Sequence, residues 1–468
     1  MEPKLVKSRL PLIPEHTKLP PLDQIESRLI VPILLVFRLE SCDGQDAIIQ
    51  DLQDGLATTI EEIPFIAGHV VPDDKRRGTI QLVVEEADGV WFHAKEIPEM
   101  TFDELEHRRF SPVCFPIASL MPEPRLHDWE KSPVLTVQAT FITGGMLLLL
   151  STHHSVMDGK GMSMMIKIWA KNVEAASQGL LPSEFIESDL SDRSPVFEDG
   201  SRSMHLTSIP NYRLTKQVWR SALQRELLAA AVTGDLSHPR LSLLRELELS
   251  FWTIPRESLQ AIKHGALASP DTPVPTENML LSALLWRHIT RARRLSARGI
   301  HSTSLVNVID IRRRLEPPLP HDYLGNALAH AKTNASALDV ESNKPLYELA
   351  QQITESIDWW TSERMWGFIG AVDSTQHVAK PCMDNFKGAD LEVTNMRSYG
   401  DSMEGQWGPA LAKAVALRTP YIATYDGWVS VFPSREDGAA EFIIVGERTT
   451  LDRLKRDAEW RSLAQLHQ

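Results

Sequence analysis

Apolar runs and periodic stretches divide the chain before any motif does. The run LIVPILLVFRL (29–39) is apolar at nearly every position and predicts a buried strand. AIIQDLQDGLATTIEEI (47–63) repeats its apolar residues at helical spacing and stops before Pro64. TVQATFI, a turn at Thr143-Gly144-Gly145 and MLLLLST predict a β-hairpin with one alternating arm and one fully buried arm. The next periodic stretch, GMSMMIKIWAKNVEAASQG, sets Met162, Met165, Ile166, Trp169 and Val173 on one helical face and ends at Gly179. A strand-to-helix junction therefore presents STHHSVMDG (151–159).

The second half repeats this alternation. LRELELSFWTIP predicts a strand, TENMLLSALLWRHITRARRL a helix with Leu280, Leu284 and His288 on one face, YIATYDGWVSVFP and AAEFIIVGE two more strands, and the C-terminus a charged helix. Between the halves, LPSEFIESDLSDRSPVFEDGSRS is rich in Ser, Asp and Pro and reads as a crossover. The expected organisation is mixed α/β in two lobes, 1–190 and 241–468, joined by a crossover at 191–240. A length of 468 residues agrees with two large domains.

Composition narrows the function. With 43% hydrophobic and 24% charged residues, and no apolar run near the roughly 18 needed to span a bilayer, a soluble protein is expected. The N-terminal stretch mixes prolines with charges and lacks a secretory apolar core, which predicts a cytoplasmic protein. Cys42, Cys114 and Cys382 stand far apart, so core thiols are expected in place of disulfides or a zinc site. A net charge of −13 disfavours nucleic acid. No GxGxxG or GxxxxGK[ST] loop points to a nucleotide cofactor.

Chemistry concentrates at the junction. A histidine at a strand end is the side chain most easily poised to take a proton near neutral pH. Taken from the residues alone, His153, His154 and Asp158 remain three candidates. Asp158 either lies a turn from His154, as a metal site would need, or folds back beneath the turn in a structural ion pair. A metal would require a further ligand, and no HExxH form is present. Met162, Met164 and Met165 read as core filler.

Several segments together resemble the BAHD-type acyltransferases, in particular their fungal trichothecene 3-O-acetyltransferase-like branch. These are HHSVMDG with its His-x-x-x-Asp-Gly, LPPLDQ (19–24), TENMLLSALLWRHITRAR (276–293), NVIDIRRRLEPPLPHDYLGNAL (307–328) and TNMRSYGDSMEGQWGPALA (394–412). The resemblance implies two chloramphenicol acetyltransferase-like lobes with an active-site channel between them, and acyl-CoA as co-substrate. It implies acyl transfer, acetyl by analogy, to a hydroxyl of a secondary metabolite such as a terpenoid. By it His154 is the general base in a ternary complex without an acyl-enzyme, Asp158 braces the turn through Arg312, and His153 is a bystander. Gly159, Asn326, Trp407 and Gly408 support the site, Gly159 by allowing the turn and Gly161 by letting the helix start near the channel. A monomer with no bound metal is expected. Where plant members carry Thr-Ser-Trp, this chain has Thr394-Asn395-Met396, so Thr394 or Asn395 is the candidate oxyanion donor. Ser282 and Arg397 are candidate coenzyme A contacts. Two other readings compete: a free-standing condensation domain using carrier-protein thioesters, and a non-catalytic ligand-binding relative.

Overall fold

The apolar runs build two large sheets. The computed structural model describes residues 2–40, 44–75, 77–122, 131–180, 189–197, 204–205, 208–209, 212–215, 246–266, 275–374, 378–381, 383–384, 388–420 and 426–467. Most of the expected crossover at 191–240, together with Cys42 and Cys382, lies outside these residues. Cys114 is half-buried with a free thiol that burial pushes above its ordinary pKa.

The first sheet runs in the order Lys4–Val6, Val90–Thr101, Leu135–Thr143, Gly145–His153, Ile30–Arg38 and Ala416–Arg418. Its central strands Ile30–Arg38 and Gly145–His153 are largely apolar because both faces are covered, whereas Leu135–Thr143 also buries Gln138 and Thr140. On one face Leu34, Leu147 and Leu149 meet Phe102, Phe110 and Phe115. On the other, Leu35, Leu148 and Leu150 pack beneath the helices Gln45–Glu62 and Gly159–Ser177. The predicted hairpin is present, with Leu135–Thr143 antiparallel to Gly145–His153.

The second sheet runs Leu328–Ser336, Ser302–Asp310, Leu391–Asn395, Trp428–Phe432, Ala440–Glu447, Leu247–Ile254 and Gln465–His467. The predicted helix over it spans Glu277–Arg293, begins at a Thr276 cap, and buries Leu280, Leu284 and His288 as expected. The strand expected over YIATYDGWVSVFP is seen as Trp428–Phe432, and 421–425 lie outside the described residues.

One strand crosses the division expected from the sequence. Ala416–Arg418, from the second half, pairs with Ile30–Arg38 at the edge of the first sheet, Leu417 opposite Leu35. Three residues are too few for a periodic signal, yet they cover backbone groups that an open edge would leave unpaired. From that strand the fully buried Arg418 pairs with Glu441 of the second sheet and donates to Phe110 O at 2.9 Å. Arg109 Nη2 reaches the same Glu441 at 2.6 Å. The two halves are thus joined by strand exchange and a buried ion network. Among the described residues, no helix is long and apolar enough to cross a membrane.

Candidate active site

A cavity of about 360 Å³ is lined by both halves of the chain. The first contributes Glu26, Ser27, the stretch 29–33, His154, Gly159, Lys160 and Met162, the second Val308, Asp310, Leu328, His330, Glu392, Thr394, Asn395, Met396, Ser398, Tyr399, Trp428 and Ser430. Of the adjacent histidines, His154 lines this space, whereas His153 ends the strand Gly145–His153 and is buried.

The turn after His154 is fixed by Asp158. Its side chain caps the helix Gly159–Ser177 by accepting from Gly161 N at 3.0 Å, and accepts from Ala327 N at 2.9 Å. Arg312 completes the set bidentately, Nη1 to Oδ2 and Nη2 to Oδ1, both at 2.9 Å. Asp158 therefore folds back beneath the turn, which selects the structural reading. Burial alone would lower the pKa of Arg312; Asp158 reverses this and holds it above its ordinary value. No cluster suited to a metal ion occurs among the described residues.

The backbone of His154 is pinned twice: its N–H donates to Leu29 O at 2.9 Å, and its carbonyl accepts from Asn326 Nδ2 at 2.9 Å. Asn326 also donates from Nδ2 and from its backbone N–H to Asp23 Oδ1, each at 2.8 Å. Asp23 is fully buried, and burial pushes its carboxyl up to about 6 against the opposing pull of Arg193 and Asn326. A folded-state pKa above the ordinary 3.8 means that its contribution to stability is complete below about 3.8 and is lost as pH rises through about 6. Asp23→Asn is therefore expected to flatten the stability-pH curve between these values. Urea unfolding at a series of pH values measures it, and an unaltered slope rejects the assignment.

Two glycines at the junction are required by close approach. Gly159 is outside the left-handed region, so a tight turn is not its reason, contrary to expectation. A Cβ there would lie 1.2 Å from the Tyr399 hydroxyl. A Cβ on Gly161 would lie 2.1 Å from Leu324 O, so this glycine lets the helix start approach the segment before Asn326, not the cavity, whose lining includes neither residue. Burial, with Asp158 adding, raises the pKa of the Tyr399 phenol.

Other expected residues divide. Thr394 and Asn395 both line the cavity, and Asn395 Oδ1 accepts from Arg397 N at 3.0 Å. Ser282 is not a surface contact: it is buried in the helix Glu277–Arg293, where its neighbours exclude solvent, and donates to Asn307 Oδ1 at 3.1 Å. Arg397 pairs with Glu277 at 2.7 Å and also donates to Asn278. Trp407 packs edge-on against Phe37 and Trp169 in the first-lobe core, with centroids 5.5 and 5.2 Å away. Gly408 next to it has φ +83, and a Cβ would meet Ser177 Oγ at 2.5 Å. This pair thus acts in the first lobe, not on the half in which it was expected.

Residues not singled out by sequence complete the wall. Trp428 directs its indole N–H to Thr394 Oγ1 at 3.5 Å, from the strand parallel to Leu391–Asn395. An indole absent at Met396 is thereby present from a neighbouring strand. Ser430 stands opposite Thr394 in the register, and its fully buried hydroxyl has no hydrogen-bond partner among the described residues. Alternation of 428 and 430 on one strand face was the available signal. Glu26 stands two residues after the LPPLDQ segment, and its carboxylate lies 3.9 Å from His154 Nδ1.

Two lobes meeting over a histidine-lined cavity are the architecture of acyl-CoA-dependent acyltransferases, and the comparisons agree. The Transferase family model matches residues 1–460, and the chain belongs to that family. It is a BAHD-type acyl-CoA-dependent acyltransferase. It is 28% identical to acyltransferase cm3D of Cordyceps militaris, covering 98% of each chain. To acyltransferase easC of Emericella nidulans it is 27% identical, over 98% of this chain and 96% of the other. Its fold is similar to that of F. graminearum TRI101 complexed with coenzyme A and T-2 mycotoxin. The TM-score is 0.81 at 17% identity, over 97% of this chain and 100% of that one. Vinorine synthase gives a TM-score of 0.68 at 15% identity, covering 99% of this chain and 97% of the other.

Proposed function

We propose that the chain moves an acyl group, acetyl by analogy, from acyl-CoA to a hydroxyl of an apolar secondary metabolite, with His154 as general base. The observation that carries this reading is the position of His154 on a cavity that has an apolar wall of Ile30, Pro32, Met162, Val308, Leu328 and Trp428 alongside Glu26, Lys160, Asp310, His330 and Glu392. The apolar part of this wall suits an acceptor of terpenoid or polycyclic type.

In this reading the imidazole takes the proton of the acceptor hydroxyl, whose oxygen attacks the thioester carbonyl. The C–S bond breaks as the tetrahedral intermediate collapses. The imidazolium then returns the proton to the departing CoA sulfur, leaving an ester and free CoA. No acyl-enzyme forms, because the gain comes from orienting both substrates beside one base. Thr394 and Ser430 are the proposed oxyanion donors, since a preorganised hydroxyl facing the cavity is free to meet the developing charge.

The test is release of CoA thiol from acetyl-CoA, followed with candidate alcohols and confirmed by a gain of one acetyl mass on the acceptor. Acceptor-independent release, or activity only with carrier-protein thioesters, rejects the reading. In the same assay the double variant Thr394→Val/Ser430→Ala is expected to lose about 10²-fold or more in kcat. Unchanged kcat removes these two hydroxyls from the oxyanion role.

A further inference from the structure

We infer that Glu26 is a positioning residue for the imidazole of His154, an inference that rests on the general-base reading above. The Glu26 carboxylate lies 3.9 Å from Nδ1, and both groups are largely withdrawn from solvent, their side chains 11% and 25% exposed. Nδ1 itself is buried and makes no hydrogen bond among the described residues. No lysine or arginine among the described residues pairs with Glu26, so the imidazole is its only ion-pair partner there.

The placement of Glu26 is rigid for reasons readable in its helix. The short helix Pro21–Ile25 starts with proline at its first position and ends at Glu26, which caps it in an extended conformation. Asp23 ties it to Asn326, and Arg193 Nη1 lies 3.3 Å from the same aspartate. On the next residue, Gln24 donates to Leu19 O and Ile80 O and accepts from Ile80 N. Through Asn326, Asp23 also holds the His154 carbonyl, so one helix grips the histidine at its backbone and faces its ring.

A carboxylate beside Nδ1 favours the tautomer that carries the proton there, which leaves the Nε2 lone pair for the acceptor hydroxyl. It also attracts the imidazolium that forms when that proton is taken, and the attraction is greater in a site withdrawn from water. Both effects act on the transition state more than on substrate binding. They therefore appear in kcat. Glu26 is called a positioning residue because it acts through His154.

The test compares Glu26→Gln, Glu26→Asp, His154→Ala and the His154→Ala/Glu26→Gln double variant of the full chain, with acetyl-CoA and one accepted alcohol. Glu26→Gln is expected to lower kcat about 10- to 100-fold, as loss of a histidine-orienting partner does elsewhere, with the acceptor KM within about twofold. Glu26→Asp, which keeps the charge, should recover part of the loss. In the His154→Ala background, Glu26→Gln should add nothing. A rise in acceptor KM at unchanged kcat overturns the inference and makes Glu26 a substrate contact. Equal losses in the Gln and Asp variants overturn it as well, because charge is then not the agent. If His154→Ala is inactive while Glu26→Gln is fully active, positioning fails alone. If His154→Ala retains activity, the general-base reading fails with it.

Discussion

Arg312→Met is expected to lower the unfolding free energy by about 3–5 kcal/mol and to remove most activity. Asp158 is fully buried and receives two of its four hydrogen bonds from Arg312; the others come from Gly161 and Ala327. Methionine fills similar space but leaves a buried carboxylate without its countercharge. The remaining backbone donors do not replace a guanidinium. Lysine should rescue only partly, because a single ammonium cannot reproduce the bidentate geometry. Since Asp158 also starts the helix that follows His154, relaxation of the ion pair disturbs the base. Arg312 further donates to Tyr323 O and Gly325 O, so the segment bearing Asn326 loosens with it. Urea unfolding of Arg312→Met reads the first effect. A loss below about 1 kcal/mol would place the pair among ordinary surface ion pairs and refute its structural role.

His154→Ala is expected to lower kcat/KM by about 10²- to 10⁴-fold without loss of stability. The side chain lines a cavity and is a quarter exposed, so its truncation leaves little void in the core. Its backbone bonds to Leu29 and Asn326 do not involve the ring and survive the change. His153→Ala should be milder in rate, because that ring is buried away from the cavity wall. Acetyl transfer assayed alongside the thermal midpoint separates the two effects. Retained transfer in a folded His154→Ala protein removes the histidine from the mechanism.

How much of this was legible depends on the distance over which each feature is determined. The hairpin and the helix beyond it follow from neighbouring residues, since side-chain periodicity and Gly turns act within a few positions. So does the placement of STHHSVMDG at a strand-to-helix junction. Spacing alone left His153, His154 and Asp158 undivided. The pairing of Asp158 with Arg312 came from a family resemblance, because the partners stand 154 positions apart. Where that resemblance used a segment's place in the chain to assign its place in space, it failed: Trp407 packs in the first lobe, and Ser282 is sealed beneath its neighbours.

The sequence by itself thus determined the local elements, their order and the presence of a histidine at a strand end, because these depend on periodicity and turn chemistry within short windows. Tertiary structure alone decided which groups surround that histidine. Glu26 comes from a one-turn helix, Trp428 and Ser430 from a strand parallel to Thr394, and Tyr399 from contact with Gly159. The physical reason is that sheet register and close packing bring remote segments within a few ångströms, and no local pattern encodes that approach.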